Sequence, residues 1–186
     1  MKIGILGGTF NPPHIGHIVL AQEVLEKLKL DKIFFIPTNI PPHKTRDDME
    51  AMHRFNMVKL AIEGKPRFEV KDLELKRGGV SYTIDTIRVL KQMHPQDELF
   101  LIVGSDLAQT INGWKEFGDL KKSVKIVVAQ RKETPFKASG DFTVVDITQI
   151  SISSSQIRDR FKAGALIKNF VKDSVADYIE KHNLYK

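Results

Sequence analysis

Short apolar runs without polar–apolar alternation recur along this chain, each followed by a stretch of helical periodicity, and that alternation constrains the fold most. Lys2 to Leu6 reads as a buried strand closing on Gly7-Gly8, and Ile18, Ala21, Leu25 and Leu28 mark a helix from about Gly16 to Lys29. A second strand, Lys32 to Pro37, ends at proline and leads into a Pro-rich loop, Thr38 to Lys44. A helix from about Met49 to Glu63, a strand from Arg67 to Lys71 and a helix from Ser81 to Met93 follow, the last with Ile84, Ile87 and Leu90 on one face. Further strands are expected at Glu98 to Val103, Val124 to Ala129 and Phe142 to Val145, with closing helices at Ser153 to Lys162 and Val171 to Lys181. Near-continuous apolar strands alternating with helices predict a doubly wound α/β fold: a mostly parallel sheet with helices on both faces. Such a sheet takes its ligand beyond the carboxyl ends of its strands. The length of 186 residues suits a single domain, 1–186, with a C-terminal helical part from about 150.

Composition excludes several chemistries. Cysteine is absent, which removes disulfides, thiolate metal sites and a cysteine nucleophile. No run approaches the ~20 apolar residues of a membrane span, and the N-terminal apolar stretch is short for a secretory signal. The expectation is a cytoplasmic protein with no membrane association, and a homo-oligomer is compatible with the sequence. Lys plus Arg is 29 against 23 Asp plus Glu, a formal net charge of +6. The basic residues are mostly interleaved with acids, so the excess reads as solvated surface plus a local phosphate site.

The first strand runs into Gly7-Gly8-Thr9-Phe10-Asn11-Pro12-Pro13-His14-Ile15-Gly16-His17, where a helix begins. The glycines allow close approach of a ligand to the backbone at Gly8, Thr9 and Phe10, and the helix start at Gly16 suits an anion. His14 and His17, three apart, point the same way and are expected to have raised pKa values beside a phosphate. A Gly/Pro loop with two surface histidines is the plain alternative. Near the other end, Ser153 and Gln156 fit a capping box, which leaves Ser154, Ser155 and Arg158 for a second anion site at the same helix start. A capped helix with a solvent arginine is the alternative there.

The first segment resembles the H-x-G-H signature of the nucleotidyltransferase superfamily, and Ile152 to Arg158 resembles its I-S-S-T-x-I-R segment, with Ser155 in the Thr position. Ile40-Pro41-Pro42-His43-Lys44, Ser81 to Thr86, Gly104-Ser105-Asp106 and Trp114 extend the resemblance to the bacterial nicotinate-nucleotide adenylyltransferases, over nearly the whole chain. The resemblance implies a Rossmann-like fold and adenylyl transfer from ATP to nicotinate mononucleotide, with Mg²⁺ carried by the ATP phosphates and no dedicated protein metal site. It gives His14, His17 and Arg158 catalytic roles, and puts Gly8, Thr9, Phe10, Gly16, Lys44, Ser154 and Ser155 on the phosphates. Gly104 and Asp106 fall beside the adenosine ribose; an Asp capping the short following helix is the alternative. Thr86, Trp114 and Lys115 fall beside the pyridine ring, where a helix-start Thr and a core Trp are the alternatives. A solvated loop lysine is the alternative for Lys44. The sequence departs from the family pattern at Asn11, where Asp is frequent, and at Lys115, where an aromatic is common and a cation could favour a carboxylate. Other readings are an adenylyltransferase for nicotinamide mononucleotide or phosphopantetheine, a fragment of a class I aminoacyl-tRNA synthetase, and a basic nucleic-acid-binding domain. The Ser81 to Thr86 stretch and Trp114 argue against phosphopantetheine, and no recognised nucleic-acid motif supports the last.

Overall fold

A computed structural model describes residues 1–42, 49–131 and 142–186. Its strands are β1 (Lys2–Gly8), β2 (Lys32–Pro37), β3 (Phe68–Val70), β4 (Glu98–Gly104), β5 (Lys125–Arg131) and β6 (Phe142–Ile147). They form one sheet in the order β3-β2-β1-β4-β5-β6, and every pairing is parallel. The expected doubly wound sheet is therefore present. The order reverses between β1 and β4, so the ligand crevice opens beyond Gly8 and Gly104.

The expected long helices are α1 (Ile15–Lys27), α2 (Ala51–Ile62), α4 (Thr83–Met93), α7 (Ser154–Lys162) and α8 (Asp173–Lys181), each within two or three residues of its predicted bounds. The sequence reading missed α3 (Leu73–Arg77), α5 (Ser105–Ala108), a 3-10 turn at Ile111–Gly113 and α6 (Phe117–Ser123). Each spans two turns or fewer, too short for an apolar stripe to declare itself. No helix among the described residues is long and apolar enough to cross a membrane.

Strand residues alternate between two cores, which explains their unbroken hydrophobicity. Leu6, Ile33, Phe35 and Ile102 pack under Ala21, Val24 and Leu25 of α1. Ile3, Ile5, Phe34, Leu99 and Leu101 face the opposite way, onto Ile84, Ile87 and Leu90 of α4. A third cluster joins Met57 and Ala61 of α2 to Ile157 of α7 and to Val175, Ala176 and Ile179 of α8. That cluster holds the C-terminal helices beside the first loop.

Gly4 sits inside β1 where no turn requires it. A Cβ there would lie 2.4 Å from Ile33 Cδ1, 2.9 Å from Ile102 Cδ1 and 3.0 Å from Leu30 Cδ1, so three buried methyl groups fill the space of the missing side chain. We expect Gly4→Ala to lower unfolding free energy by about 1–3 kcal/mol, as overpacking does. Urea denaturation checks this; an unchanged midpoint would show that the three side chains yield freely.

Candidate active site

Three chain segments meet at the carboxyl end of β1. The first loop turns out of the sheet at Phe10, whose backbone is left-handed (φ 51°), and its buried ring packs on Phe35 at 5.9 Å. The left-handed region is uncommon for so bulky a residue and is held by that burial. His14 is the N-cap of α1, which begins at Ile15, one residue before the predicted start. Its amide N–H donates to Nδ1 of His17 at 3.2 Å, and the two imidazoles lie 3.8 Å apart at 37°. A Cβ at Gly16 would stand 3.0 Å from His14 Nδ1, so glycine leaves the ring room to lie over the helix start.

This arrangement fixes the His17 tautomer. With Nδ1 accepting from a backbone amide, a neutral ring carries its proton on Nε2 and presents it as a donor. In the protein by itself, the His17 shift runs opposite to the one expected beside a phosphate. Burial, and secondarily the neighbouring His14, pushes His17 down to about 3. Phe10, edge-on at 5.1 Å, contributes to that apolar surround. His17 is thus a neutral donor at physiological pH.

Two hydrogen bonds join the second loop to the first, and a third braces Arg158 within its own helix. Arg158 Nη1 donates to the Asn11 carbonyl at 2.8 Å and Nη2 to Ser155 Oγ at 3.1 Å. Ser154 Oγ donates to the Pro12 carbonyl at 2.8 Å. The predicted capping box is present, with the Gln156 amide on Ser153 Oγ at 3.2 Å and the Ser153 amide on Gln156 Oε1 at 2.8 Å. Asn11, the departure noted above, is nearly buried, and its Oδ1 accepts from Tyr185 Oη at 2.6 Å. The chain terminus therefore pins the same loop. Segments more than 140 residues apart in sequence are joined by direct hydrogen bonds.

The remaining predicted residues fall elsewhere around the crevice. Gly104 ends β4 and is the N-cap of α5; Asp106 lies inside that helix and is exposed, so it is not the cap. Trp114 is half-buried against the α4 face of the core. Lys115 does not stand as an isolated cation: its Nζ lies 3.3 Å from Asp85 Oδ2, 4.0 Å from Glu116 Oε1 and 4.6 Å from the centre of the Tyr82 ring. Thr86 is buried, donating to Glu74 Oε1 at 2.6 Å and accepting from Arg77 Nη1 at 3.0 Å. Burial raises the Glu74 carboxyl above the usual range, against hydrogen bonds from Ser81 and Thr86 and the charges of Arg77 and Arg54. Lys44 lies outside the described residues.

Arg54 was not anticipated. It is 1% exposed on α2 and donates to main-chain carbonyls: Thr9 at 3.0 Å and Thr38 at 2.6 Å from Nη1, Asn39 at 2.9 Å from Nη2, and Met49 at 3.4 Å from Nε. An arginine in an amphipathic helix reads as surface; the carbonyls around this one come from two separate connections, the loop after β1 and the segment between β2 and α2. Among the described residues no cluster of three or more His, Cys, Asp or Glu could hold a metal.

A profile of the cytidylyltransferase-like family matches residues 5–160. A relative from Shouchella clausii, titled "Probable nicotinate-nucleotide adenylyltransferase", is 43% identical over 99% of this chain and 96% of its own. The nicotinate-nucleotide adenylyltransferase of Bacillus subtilis is 40% identical over 100% of this chain and 98% of its own. Among solved structures, Plasmodium falciparum nicotinic acid mononucleotide adenylyltransferase complexed with NaAD superposes with a TM-score of 0.82 at 25% identity, over 99% of this chain and 97% of that one.

Proposed function

The chain belongs to the cytidylyltransferase-like family and, within it, to the nicotinate-nucleotide adenylyltransferases; on that premise we propose that it transfers the adenylyl group of ATP to nicotinate mononucleotide. An oxygen of the mononucleotide 5′-phosphate forms a bond to the α-phosphorus of ATP. The bond from that phosphorus to the bridging oxygen breaks, and pyrophosphate leaves with the electron pair. The products are nicotinate adenine dinucleotide and pyrophosphate. The attacking phosphate has its second pKa near 6, so it is mostly dianionic at neutral pH and needs no general base. The protein's work is positioning two anions against their repulsion and stabilising charge as it develops.

The observation that carries this reading is the joining of the two phosphate loops: Arg158 and Ser154 hold the Asn11 and Pro12 carbonyls beside the start of α1. In this reading His17 Nε2–H, the Arg158 N–H groups not spent on Asn11 and Ser155, and the amides around Gly8 to Phe10 serve the triphosphate. His14 and the hydroxyls of Ser154 and Ser155 flank the same phosphates. The donor set is all N–H and O–H, which suits phosphate oxygens and not a cation, so we assign Mg²⁺ to the ATP, entering as part of that substrate. Gly104 and Asp106, across the switch point, suit the ribose, and Trp114 offers a flat apolar face to a pyridine ring. We assign the reaction to the cytoplasm, the compartment that supplies ATP.

The preference for the carboxylate form of the pyridine rests on the family; Lys115 adds little to it, because Asp85 already shares its charge. The test is pyrophosphate release with ATP and each candidate acceptor. We expect kcat/KM for nicotinate mononucleotide to exceed that for nicotinamide mononucleotide by about 10-fold or more, with no turnover of phosphopantetheine. Absence of release with nicotinate mononucleotide would overturn the activity; a preference for the amide would overturn only the acceptor.

A further inference from the structure

We propose that Arg54 is a positioning residue that sets the Thr9–Phe10 peptide so that the Phe10 amide faces the phosphates of ATP. The proposal rests on the adenylyl-transfer reading only in naming ATP as the ligand.

A buried guanidinium is tolerated only when its donors are satisfied. Arg54 meets this by gathering carbonyls from the ends of neighbouring strands. A single nitrogen, Nη1, bridges Thr9 in the loop after β1 and Thr38 in the loop after β2. The Thr9–Phe10 peptide is trans, the cis bond of this loop being the one between Asn11 and Pro12. In a trans peptide the N–H and C=O vectors are antiparallel. With the Thr9 oxygen turned onto Arg54, the Phe10 N–H points the opposite way, away from the buried guanidinium. Rotation of that peptide would aim the carbonyl dipole at an incoming phosphate and take an acceptor from the buried guanidinium. The Phe10 ring, locked between Phe35 and His17, resists the same rotation from the other end. Arg54 thereby pre-orients a neutral donor that the sequence could not show to be oriented. Lysine, with one compact ammonium, cannot reproduce the fork that spans Thr9, Thr38 and Asn39.

The decisive measurement is amide NMR of the full ¹⁵N-labelled chain titrated with MgATP. The Phe10 amide proton of the wild type should move downfield and saturate with ATP. In Arg54→Lys and Arg54→Met the shift should be lost. The kcat of each folded variant should fall about 100-fold, the scale of a lost oxyanion donor, while KM for the mononucleotide changes less than about threefold. Arg54→Met keeps the buried stem, so a merely space-filling role would leave its kcat intact. Either a wild-type Phe10 amide unmoved by ATP, or a folded Arg54→Met with normal kcat and a normal Phe10 shift, overturns the proposal. A wild-type Phe10 amide unmoved by ATP refutes the proposal whether or not the variants fold. That titration needs no turnover, so failure of the acceptor assay and failure of this proposal are separate results.

Discussion

His17→Ala is expected to lower kcat/KM by roughly 10²–10³-fold while leaving the fold intact, the cost of one pre-aimed donor at a developing charge. The expectation rests on a neutral imidazole. Its Nδ1 is spoken for by the His14 amide, so Nε2 keeps its proton through the neutral range without any help from a raised pKa. Activity of the wild type should therefore show no loss on the alkaline side near pH 6.5 that traces to His17. Stability behaves differently. The folded-state pKa near 3 lies below the ordinary 6.5 of an unfolded chain, so between those values the unfolded state binds the extra proton. The contribution of His17 is fully present above about pH 6.5 and is lost as pH falls toward 3, at up to about 1.4 kcal/mol per pH unit. His17→Asn, which has no proton to gain, should flatten that part of the curve. Thermal unfolding from pH 7.5 to 4 checks it. Equal slopes in the two proteins would show that the fold does not depress the His17 pKa, and a His17→Ala enzyme with normal turnover would remove it from catalysis.

Much of the fold was legible because strands such as Ile3 to Leu6 and Leu99 to Val103 are apolar on both faces, and only a sheet covered on both sides makes that pattern stable. The helices α3, α5 and α6 were not legible, because two turns or fewer cannot show a stripe. The local parts of the site were readable too: the Ser153–Gln156 cap is a matter of adjacent residues, and it formed as expected. Properties set by distant segments were not. Arg54 becomes a core residue through carbonyls on two loops, after β1 and after β2. Burial, which residue spacing does not show, pushes the His17 pKa down in the protein itself. Lys115 looked like a free cation until the fold brought Asp85 of α4 to within 3.3 Å. Asn11, read as a departure of doubtful effect, is tied to Tyr185 across nearly the whole chain.

Arg158 shows how one such long-range contact produces function, and its replacement should have the second large effect. Of five guanidinium N–H donors, one goes to the Asn11 carbonyl and one to Ser155 Oγ. The remainder stay available on a side chain whose plane the Asn11 bond has already fixed. The residue thus ties the two loops together and, on the proposed function, brings a permanent charge to their junction. Lysine can do one of these tasks with its single ammonium, not both. Arg158→Lys is therefore expected to lose about 100-fold in kcat/KM, and Arg158→Ala more. Ser154→Ala weakens the tie without removing a charge, by deleting the hydroxyl that bonds the Pro12 carbonyl. That variant should cost about 1 kcal/mol of stability and less than about tenfold in turnover. Comparing kcat/KM for ATP and melting temperature across the three variants separates the two roles. If Arg158→Lys and Ser154→Ala lose activity equally, the loop tie is the whole effect. If Arg158→Lys turns over normally, the second loop does not supply the charge that the reaction requires.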